Sequence, residues 1–163
     1  MNNIFLIGMM GVGKSTIGKL LSTTMKINFV DTDEEVEKHF NMPINNIFDK
    51  HGEKGFREIE SLILEQSTNS IVACGGGIVL KKKNRDFIKQ NGKCLLLLSK
   101  INVLADRLRS ENNRPLLKDV IIEDQLEQIW KERKDLYYNL ADQIIEINNK
   151  SKKQITDCII GVL

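Results

Sequence analysis

Short runs of apolar residues alternate along the chain with longer segments in which apolar and polar positions follow a helical period. The runs are rich in branched side chains and lie at 4–7, 29–30, 71–73, 94–98 and 144–147. Because they lack polar alternation, they predict strands covered on both faces, as in a parallel sheet. Strands separated by amphipathic helices predict an α/β domain of the doubly wound kind.

The helical segments have their own signals. They cover about 14–24, 53–66, 124–140 and the residues from 151 onward. In the second of them, Phe56, Ile59 and Ile63 fall on one face. The last begins at Ser151, with Gln154 three residues later, which is a capping-box pattern.

The segment from Gly8 to Thr16 carries the most specific motif, the P-loop pattern G-x-x-x-x-G-K-[ST], between a predicted strand and a predicted helix. It predicts a three-layer P-loop fold, with the parallel sheet between two layers of helices. Its backbone amides and the helix N-terminus would form a cradle for anions. We expect Lys14 to contact the β and γ phosphates of a nucleotide and Ser15 to bind Mg²⁺. The predicted nucleotide-binding residues of the motif are Gly11, Val12, Gly13, Lys14, Ser15 and Thr16.

The motif alone does not choose among a kinase, a GTPase, an ATPase motor and a regulatory switch. A glycine-rich turn that binds nothing is the structural alternative. A GTPase should carry Asn-Lys-x-Asp for base recognition, but the segment 149–152 lacks the aspartate. The remaining length suits a kinase that acts on a small molecule.

Two carboxylates, Asp31 and Asp33, come directly after the second predicted strand. Ligands bind at the carboxyl ends of strands in open α/β sheets. Asp31 could hold Mg²⁺, directly or through water, and Asp33 could take the proton of an attacking hydroxyl. The alternative for Asp33 is that it caps the following helix.

Basic residues that could bind an anionic substrate lie further along the chain. Arg57 and Glu60 are three residues apart on a predicted helix, so they can touch, either as a surface ion pair or with Glu60 orienting Arg57. Arg133 lies among apolar residues of another helix and needs an anionic partner, which could also be a structural carboxylate. Three glycines at 75–77 follow the third predicted strand and would let a ligand approach the backbone.

Arg114 falls in the stretch 112–119, where Pro115 breaks the helical pattern. A cation on a loop that closes over phosphates would stabilise the transferring charge and exclude water. A plain connector is the alternative reading.

Composition narrows the class of protein without identifying it. The 163 residues fit one domain, and 41% hydrophobic with 28% charged residues is typical of a soluble globular protein. A net charge of +2 gives no reason to expect nucleic acid or a membrane surface as partner. The three cysteines are isolated, which argues against a disulfide framework or a zinc site. No leader or membrane-spanning run is visible, so we expect a cytoplasmic protein, and a monomer by default.

Taken together, these motifs resemble those of shikimate kinase over essentially the whole chain. The matching segments are 8–16, 31–33, 52–60, 75–77, 114–117 and 133–137. The resemblance implies one domain, 1–163, like the nucleoside monophosphate kinases: a five-stranded parallel sheet, a substrate-binding lobe at about 33–60 and a lid at about 110–122. It also implies transfer of the ATP γ-phosphoryl group to the 3-hydroxyl of shikimate, with Mg²⁺, in aromatic amino-acid biosynthesis.

The resemblance also suggests a role for each residue. Asp33 would bind the substrate hydroxyls, and Arg57 and Arg133 would hold its carboxylate with help from an amide of Gly75, Gly76 or Gly77. Arg114 would act from the lid, and Arg107 would stack on adenine. Ser15 and Asp31 would serve Mg²⁺. Members of the family often have a basic residue after the last strand, and whether Lys150 provides it is open.

Three other activities are compatible with the same motifs. A gluconate kinase or an adenylate kinase-like enzyme would have a similar architecture, although a nucleotide acceptor would need a pocket for a second base. A nucleotide-dependent switch would hydrolyse ATP slowly and bind a partner, but no segment for recruiting a partner is apparent.

Overall fold

The computed structural model describes residues 2–110 and 122–163, in which strands and helices alternate as predicted. The strands are β1 (Asn3–Ile7), β2 (Asn28–Asp31), β3 (Ser70–Ala73), β4 (Gly92–Leu98) and β5 (Gln143–Glu146). The helices are α1 (Lys14–Met25), α2 (Thr32–Phe40), α3 (Ile44–Gln66), α4 (Lys82–Asn91), α5 (Ile101–Ser110), α6 (Ile122–Leu140) and α7 (Lys152–Ile160), with a short 3₁₀ helix at Ile78–Leu80. Most of the expected lid, including Arg114, lies outside the described residues.

The strands form one parallel sheet in the order β2-β3-β1-β4-β5. The prediction of a five-stranded parallel sheet flanked by helices is therefore confirmed. Strand β1 is central, with Phe5 opposite Val72 on one side and Cys94 on the other. The segment after β1 therefore leaves from the middle of the carboxyl edge, where ligands of such sheets bind.

The core lies around the inner strands. Phe5, Leu6 and Ile7 of β1 are wholly buried, which explains their unbroken apolar run. The edge strand β5 departs from the expectation of two covered faces, because the side chain of Ile144 is 47% exposed. An edge strand has a neighbour on one side only, and the apolar run in the sequence could not reveal that.

A second, smaller apolar cluster joins α2 and α3. Val36, Ile47 and Phe56 are buried there, apart from the main core. These residues fall within the expected substrate-binding lobe, which thus has apolar packing of its own.

The ends of the helices follow local rules, with one correction. Ser151 and Gln154 form the predicted capping box at the start of α7. Helix α2 is capped by Asp31, whose Oδ1 accepts hydrogen bonds from the amides of Asp33 and Glu34 at 3.0 and 3.3 Å. The alternative reading of Asp33 as the cap is therefore wrong, since Asp33 lies in the first turn of the helix.

Helix α3 begins earlier than the pattern indicated. It starts at Ile44 and is interrupted at Gly52, whose φ of 68° and ψ of 173° are not helical. The predicted start near Glu53 corresponds to the second half of this element. None of the described helices is long and apolar enough to cross a membrane.

Candidate active site

The loop after β1 has the shape that its glycines predict. Gly13 has φ of 96°, a left-handed conformation that glycine adopts without strain, and it directly precedes α1. No side chain caps α1, so its first amides are not used by a capping residue. The ammonium of Lys14 lies across the loop and donates to the carbonyls of Gly8 and Met9 at 2.8 and 2.9 Å. A helix N-terminus without a cap and an adjacent ammonium are features of an anion site.

Arg107 of α5 reaches this same loop. Its Nη1 donates to the carbonyls of Gly11 and Val12, both at 3.3 Å. The loop that would hold the phosphates therefore has a second cation beside it. Whether Arg107 stacks on adenine stays a prediction.

The glycine run 75–77 is fixed to the end of β2 by Thr32. This residue is wholly buried, and its Oγ1 accepts a hydrogen bond of 2.8 Å from the amide of Gly75. Because β2 and β3 are neighbours in a parallel sheet, their carboxyl ends lie side by side. The bond therefore joins the aspartate segment to the glycine run.

Two carboxylates approach the first glycine closely. A Cβ on Gly75 would lie 2.5 Å from Oδ1 of Asp33 and 2.6 Å from Oε1 of Glu60. Only glycine lets these side chains come so near to the backbone. Asp33 and Glu60, which come from different helices, are thus brought together.

Arg57 lies against the last glycine of the run. Its Nη1 donates to Oε2 of Glu60 at 2.8 Å, and its Nε donates to Oε1 of Glu53 at 3.3 Å. A Cβ on Gly77 would be 2.1 Å from Nη2 of Arg57. Burial opposes the charge of Arg57, but the two glutamates outweigh it and raise the pKa of the guanidinium. Arg57 is therefore a fixed cation at this site.

Glu60 is the least exposed member of the group, with a side chain that is 0% accessible to solvent. Burial raises its pKa above the ordinary value, although the charge of Arg57 works in the opposite direction. Its Oε1 is buried with no hydrogen-bond partner among the described residues. Leaving that oxygen unpaired in the interior costs free energy.

Arg133 reaches the glycine run from α6. Its Nη1 donates to the carbonyl of Gly76 at 3.2 Å, and its Nε is buried with no hydrogen-bond partner among the described residues. The structural alternative required a carboxylate partner for this arginine, and none of the described ion pairs includes it. A buried cationic donor without a partner favours an anionic ligand.

Some of these residues line a cavity of about 590 Å³. Its polar lining includes Ser15, Asp31, Asp33, Arg57 and Arg133. The P-loop hydroxyl, the two aspartates and the two arginines thus face the same space, which can hold a small anionic molecule beside the phosphate loop.

Thr16 and Lys150 are not among the residues that line this cavity. Thr16 is exposed in the first turn of α1. Lys150 is exposed after β5, and its ammonium donates to the carbonyl of Glu146 at 2.6 Å. Arg114 lies outside the described residues, so its role on a lid stays a prediction.

The sequence analysis did not assign site roles to Thr32, Phe48, Phe56 or Tyr137. The rings of Phe48 and Phe56 lie 4.9 Å apart and both line the cavity. The helical period places Phe56 on an apolar face, but it does not reveal that this face also borders a cavity. The position of Thr32 between two aspartates at a strand end was a usable signal.

Comparisons with known proteins show the family to which this chain belongs. The shikimate kinase family profile matches residues 10–163. A shikimate kinase of Francisella tularensis subsp. holarctica is 40% identical over 161 residues, which cover 96% of this chain and 92% of that protein.

Solved structures give the same result. A shikimate kinase from Acinetobacter baumannii, in complex with shikimate, superposes with a TM-score of 0.93 at 33% identity, covering 99% of this chain and 92% of the other. A shikimate kinase from Bacteroides thetaiotaomicron has a TM-score of 0.90 at 28% identity, with coverages of 99% and 97%. With a P-loop, two aspartates and two arginines arranged around one cavity, and with relatives of this similarity over nearly its full length, the chain belongs to the shikimate kinase family.

Proposed function

We propose that this protein phosphorylates shikimate at its 3-hydroxyl with ATP, giving shikimate 3-phosphate and ADP. The observation that carries the proposal is the cavity that Asp33, Arg57 and Arg133 share with Ser15 of the P-loop. It combines cations for a carboxylate, a carboxylate for a hydroxyl and a neighbouring phosphate loop. Shikimate is a small polyol with one carboxylate and therefore needs the first two.

Arg57 and Arg133 hold the substrate carboxylate in this proposal. A guanidinium offers a planar pair of donors that matches the two oxygens of a carboxylate. Glu60 fixes the direction of Arg57, and the unpartnered Nε of Arg133 supplies a donor. An amide of the run from Gly75 to Gly77 adds a contact to the substrate.

Asp33 receives the hydroxyl that attacks. The oxygen of the 3-hydroxyl forms a bond to the γ-phosphorus while the bond between that phosphorus and the β–γ bridging oxygen breaks. The hydroxyl proton passes to the carboxylate of Asp33, and ADP leaves. Such a transfer needs positioning and charge stabilisation more than covalent chemistry, and the cavity supplies both.

The nucleotide lies on the P-loop, with its phosphates against the amides of 11–16 and the ammonium of Lys14. Arg107, beside this loop, stacks on adenine, and Arg114 contributes a further cation from the lid.

Mg²⁺ would be held by Ser15 and Asp31. Both offer hard oxygen donors and line the same cavity, which fits the ligand preference of this ion. Among the described residues no cluster of three or more histidines, cysteines or acidic residues could hold a metal by itself. An ion bound with the help of ATP phosphates needs only one or two protein ligands, and it would neutralise charge on the transferring group.

The test is release of ADP with shikimate, with gluconate, with AMP and with no acceptor. Of these four conditions, we expect only shikimate to give rapid release of ADP. Phosphorus NMR should identify a product phosphorylated at the 3-hydroxyl. Preference for gluconate or AMP would instead assign the protein to the corresponding rival kinase. Slow release that no acceptor stimulates would indicate a nucleotide-dependent switch.

The same preparation, run by gel filtration, tests the predicted monomer.

A further inference from the structure

The carbonyl of Gly76 accepts two hydrogen bonds from α6. The hydroxyl of Tyr137 donates to it at 2.5 Å, and Nη1 of Arg133 donates at 3.2 Å. The two donors are four residues apart, which places them on one face of the helix. A single backbone oxygen therefore connects α6 to the glycine run.

This oxygen belongs to the peptide group that joins Gly76 to Gly77. In a trans peptide the carbonyl and the following amide point in opposite directions within one plane. Holding the carbonyl towards α6 therefore directs the amide of Gly77 away from α6. Gly77 also lies against the guanidinium of Arg57, so the orientation of this peptide affects the part of the cavity assigned to the carboxylate.

Tyr137 is a rigid donor. It is wholly buried, and its ring stacks on Trp130 with centroids 6.0 Å apart. Burial raises the pKa of its hydroxyl to about 12, with Arg133 opposing the shift, so the group remains protonated at neutral pH. Glycine, by contrast, has no side chain that could hold its own peptide in place.

We propose that Tyr137 is a positioning residue for substrate binding, which holds the Gly76–Gly77 peptide and shares its acceptor with Arg133. Without the tyrosine hydroxyl, Arg133 is the remaining donor to Gly76, and its guanidinium is drawn towards the backbone and away from the substrate. The peptide is then held by one hydrogen bond from α6 instead of two. The inference rests on the proposed binding of shikimate by Arg133 and the glycine run.

Tyr137→Phe removes only the hydroxyl and keeps the buried ring. Tyr138→Phe is the matched control. It removes the same hydroxyl group from the next residue of α6, whose side chain is 42% exposed. We expect the KM for shikimate to rise about three- to tenfold in Tyr137→Phe, the effect of one hydrogen bond. The KM for ATP should stay within about twofold, and Tyr138→Phe should match the wild type in both.

A tyrosine that merely satisfies its hydroxyl in the core would behave differently. Its loss would lower the melting temperature but leave the KM for shikimate unchanged, or change both KM values alike, and either result would overturn the proposal. The neutral carboxamide of shikimate provides a second readout, since a displaced Arg133 should reduce the preference of Tyr137→Phe for the acid. An undiminished preference would contradict the role assigned to Arg133.

The role of Tyr137 and the proposed activity can be tested separately. Suppose that the wild type and Tyr138→Phe release ADP with shikimate, and that Tyr137→Phe has the same KM for shikimate as the wild type. Then only the role of Tyr137 is wrong. If the wild type does not use shikimate at all, the proposed function fails and the role of Tyr137 fails with it.

Discussion

Arg57 donates a hydrogen bond of 2.8 Å to Glu60, and the carboxylate that receives it is completely buried. The two residues are three positions apart on α3, so the helix itself brings them together. Burying a carboxylate costs free energy unless a cation and hydrogen bonds compensate. One oxygen of Glu60 is paired with Arg57, and the other has no partner among the described residues. This incomplete pairing indicates that Glu60 serves the site and not the stability of the fold.

Replacing Glu60 by Gln should therefore weaken shikimate binding and change how the stability of the fold depends on pH. The pKa of Glu60 is raised in the folded protein, so the folded state holds its proton up to a higher pH than the unfolded state. The free energy of unfolding of the wild type should then fall, relative to Glu60→Gln, as pH rises above the ordinary value of 4.5. Below that value both side chains are neutral, and the difference should no longer depend on pH.

Urea unfolding of both proteins between pH 4 and 8 measures this difference, and the KM for shikimate measures the effect on binding. A wild type that gains stability relative to Glu60→Gln as pH rises from 4 to 8 would instead show that Glu60 stabilises the fold as a carboxylate. An unchanged KM would mean that Glu60 does not orient Arg57 for the substrate.

Gly77→Ala should weaken shikimate binding and also lower the free energy of unfolding, because a displaced Arg57 leaves the buried carboxylate of Glu60 without its cation. The added Cβ would lie 2.1 to 2.5 Å from the guanidinium of Arg57, which is the far end of a flexible side chain and can move aside. Moving it takes Arg57 away from the substrate carboxylate. Gly76→Ala should have a smaller effect, because its Cβ would meet nothing closer than 3.6 Å. Steady-state kinetics with both variants tests this, and equal effects would argue against Arg57 as the reason.

Lys14→Ala should reduce phosphoryl transfer to less than about a tenth of the wild-type rate while the fold remains. Without the ammonium, the P-loop would have only its backbone amides to stabilise the charge on the β and γ phosphates. Lys19→Ala is the control, since Lys19 is an exposed lysine of the same helix that pairs with Glu34. Rates of ADP release and far-UV circular dichroism compare the three proteins. A variant that retains more than a tenth of the activity would contradict the P-loop assignment.

Asp33→Asn should bind ATP normally but turn over about a hundredfold more slowly, because the amide keeps the shape of the side chain without its basicity. ATP affinity by calorimetry and shikimate-dependent ADP release separate the two effects. Asp49→Asn, at an exposed position of α3, is the control. Turnover near the wild-type level would remove Asp33 from the reaction.

Much of the fold could be predicted because its signals are local. The P-loop motif needs only its own nine residues, and the buried strands are visible as apolar runs. The capping box at Ser151 was also predictable, because both of its bonds join residues three apart. The choice between Asp31 and Asp33 as the cap of α2 depended on where the strand ends, which the pattern does not specify to one residue.

The site was predicted less completely because its central contacts cross the chain. The pairing of Arg57 with Glu60 followed from helical spacing, but the burial of Glu60 depends on its approach to Gly75. The bond from Tyr137 to Gly76 joins residues 61 positions apart and leaves no trace in the local pattern. Sequence spacing thus indicates which residues can meet within an element, and packing decides which elements meet.

The most direct test of the account is a cycle of four kcat/KM values, for wild type and Arg133→Ala with shikimate and with its neutral carboxamide. If Arg133 holds the carboxylate, removing either partner should cost on the order of 2–5 kcal/mol, because the other charge is left unpaired. Both changes remove the same interaction, so their effects should not add, and Arg133→Ala should show a much smaller preference for the acid. Additive losses would mean that Arg133 does not touch the carboxylate, and equal use of acid and amide by the wild type would contradict the proposed substrate site altogether.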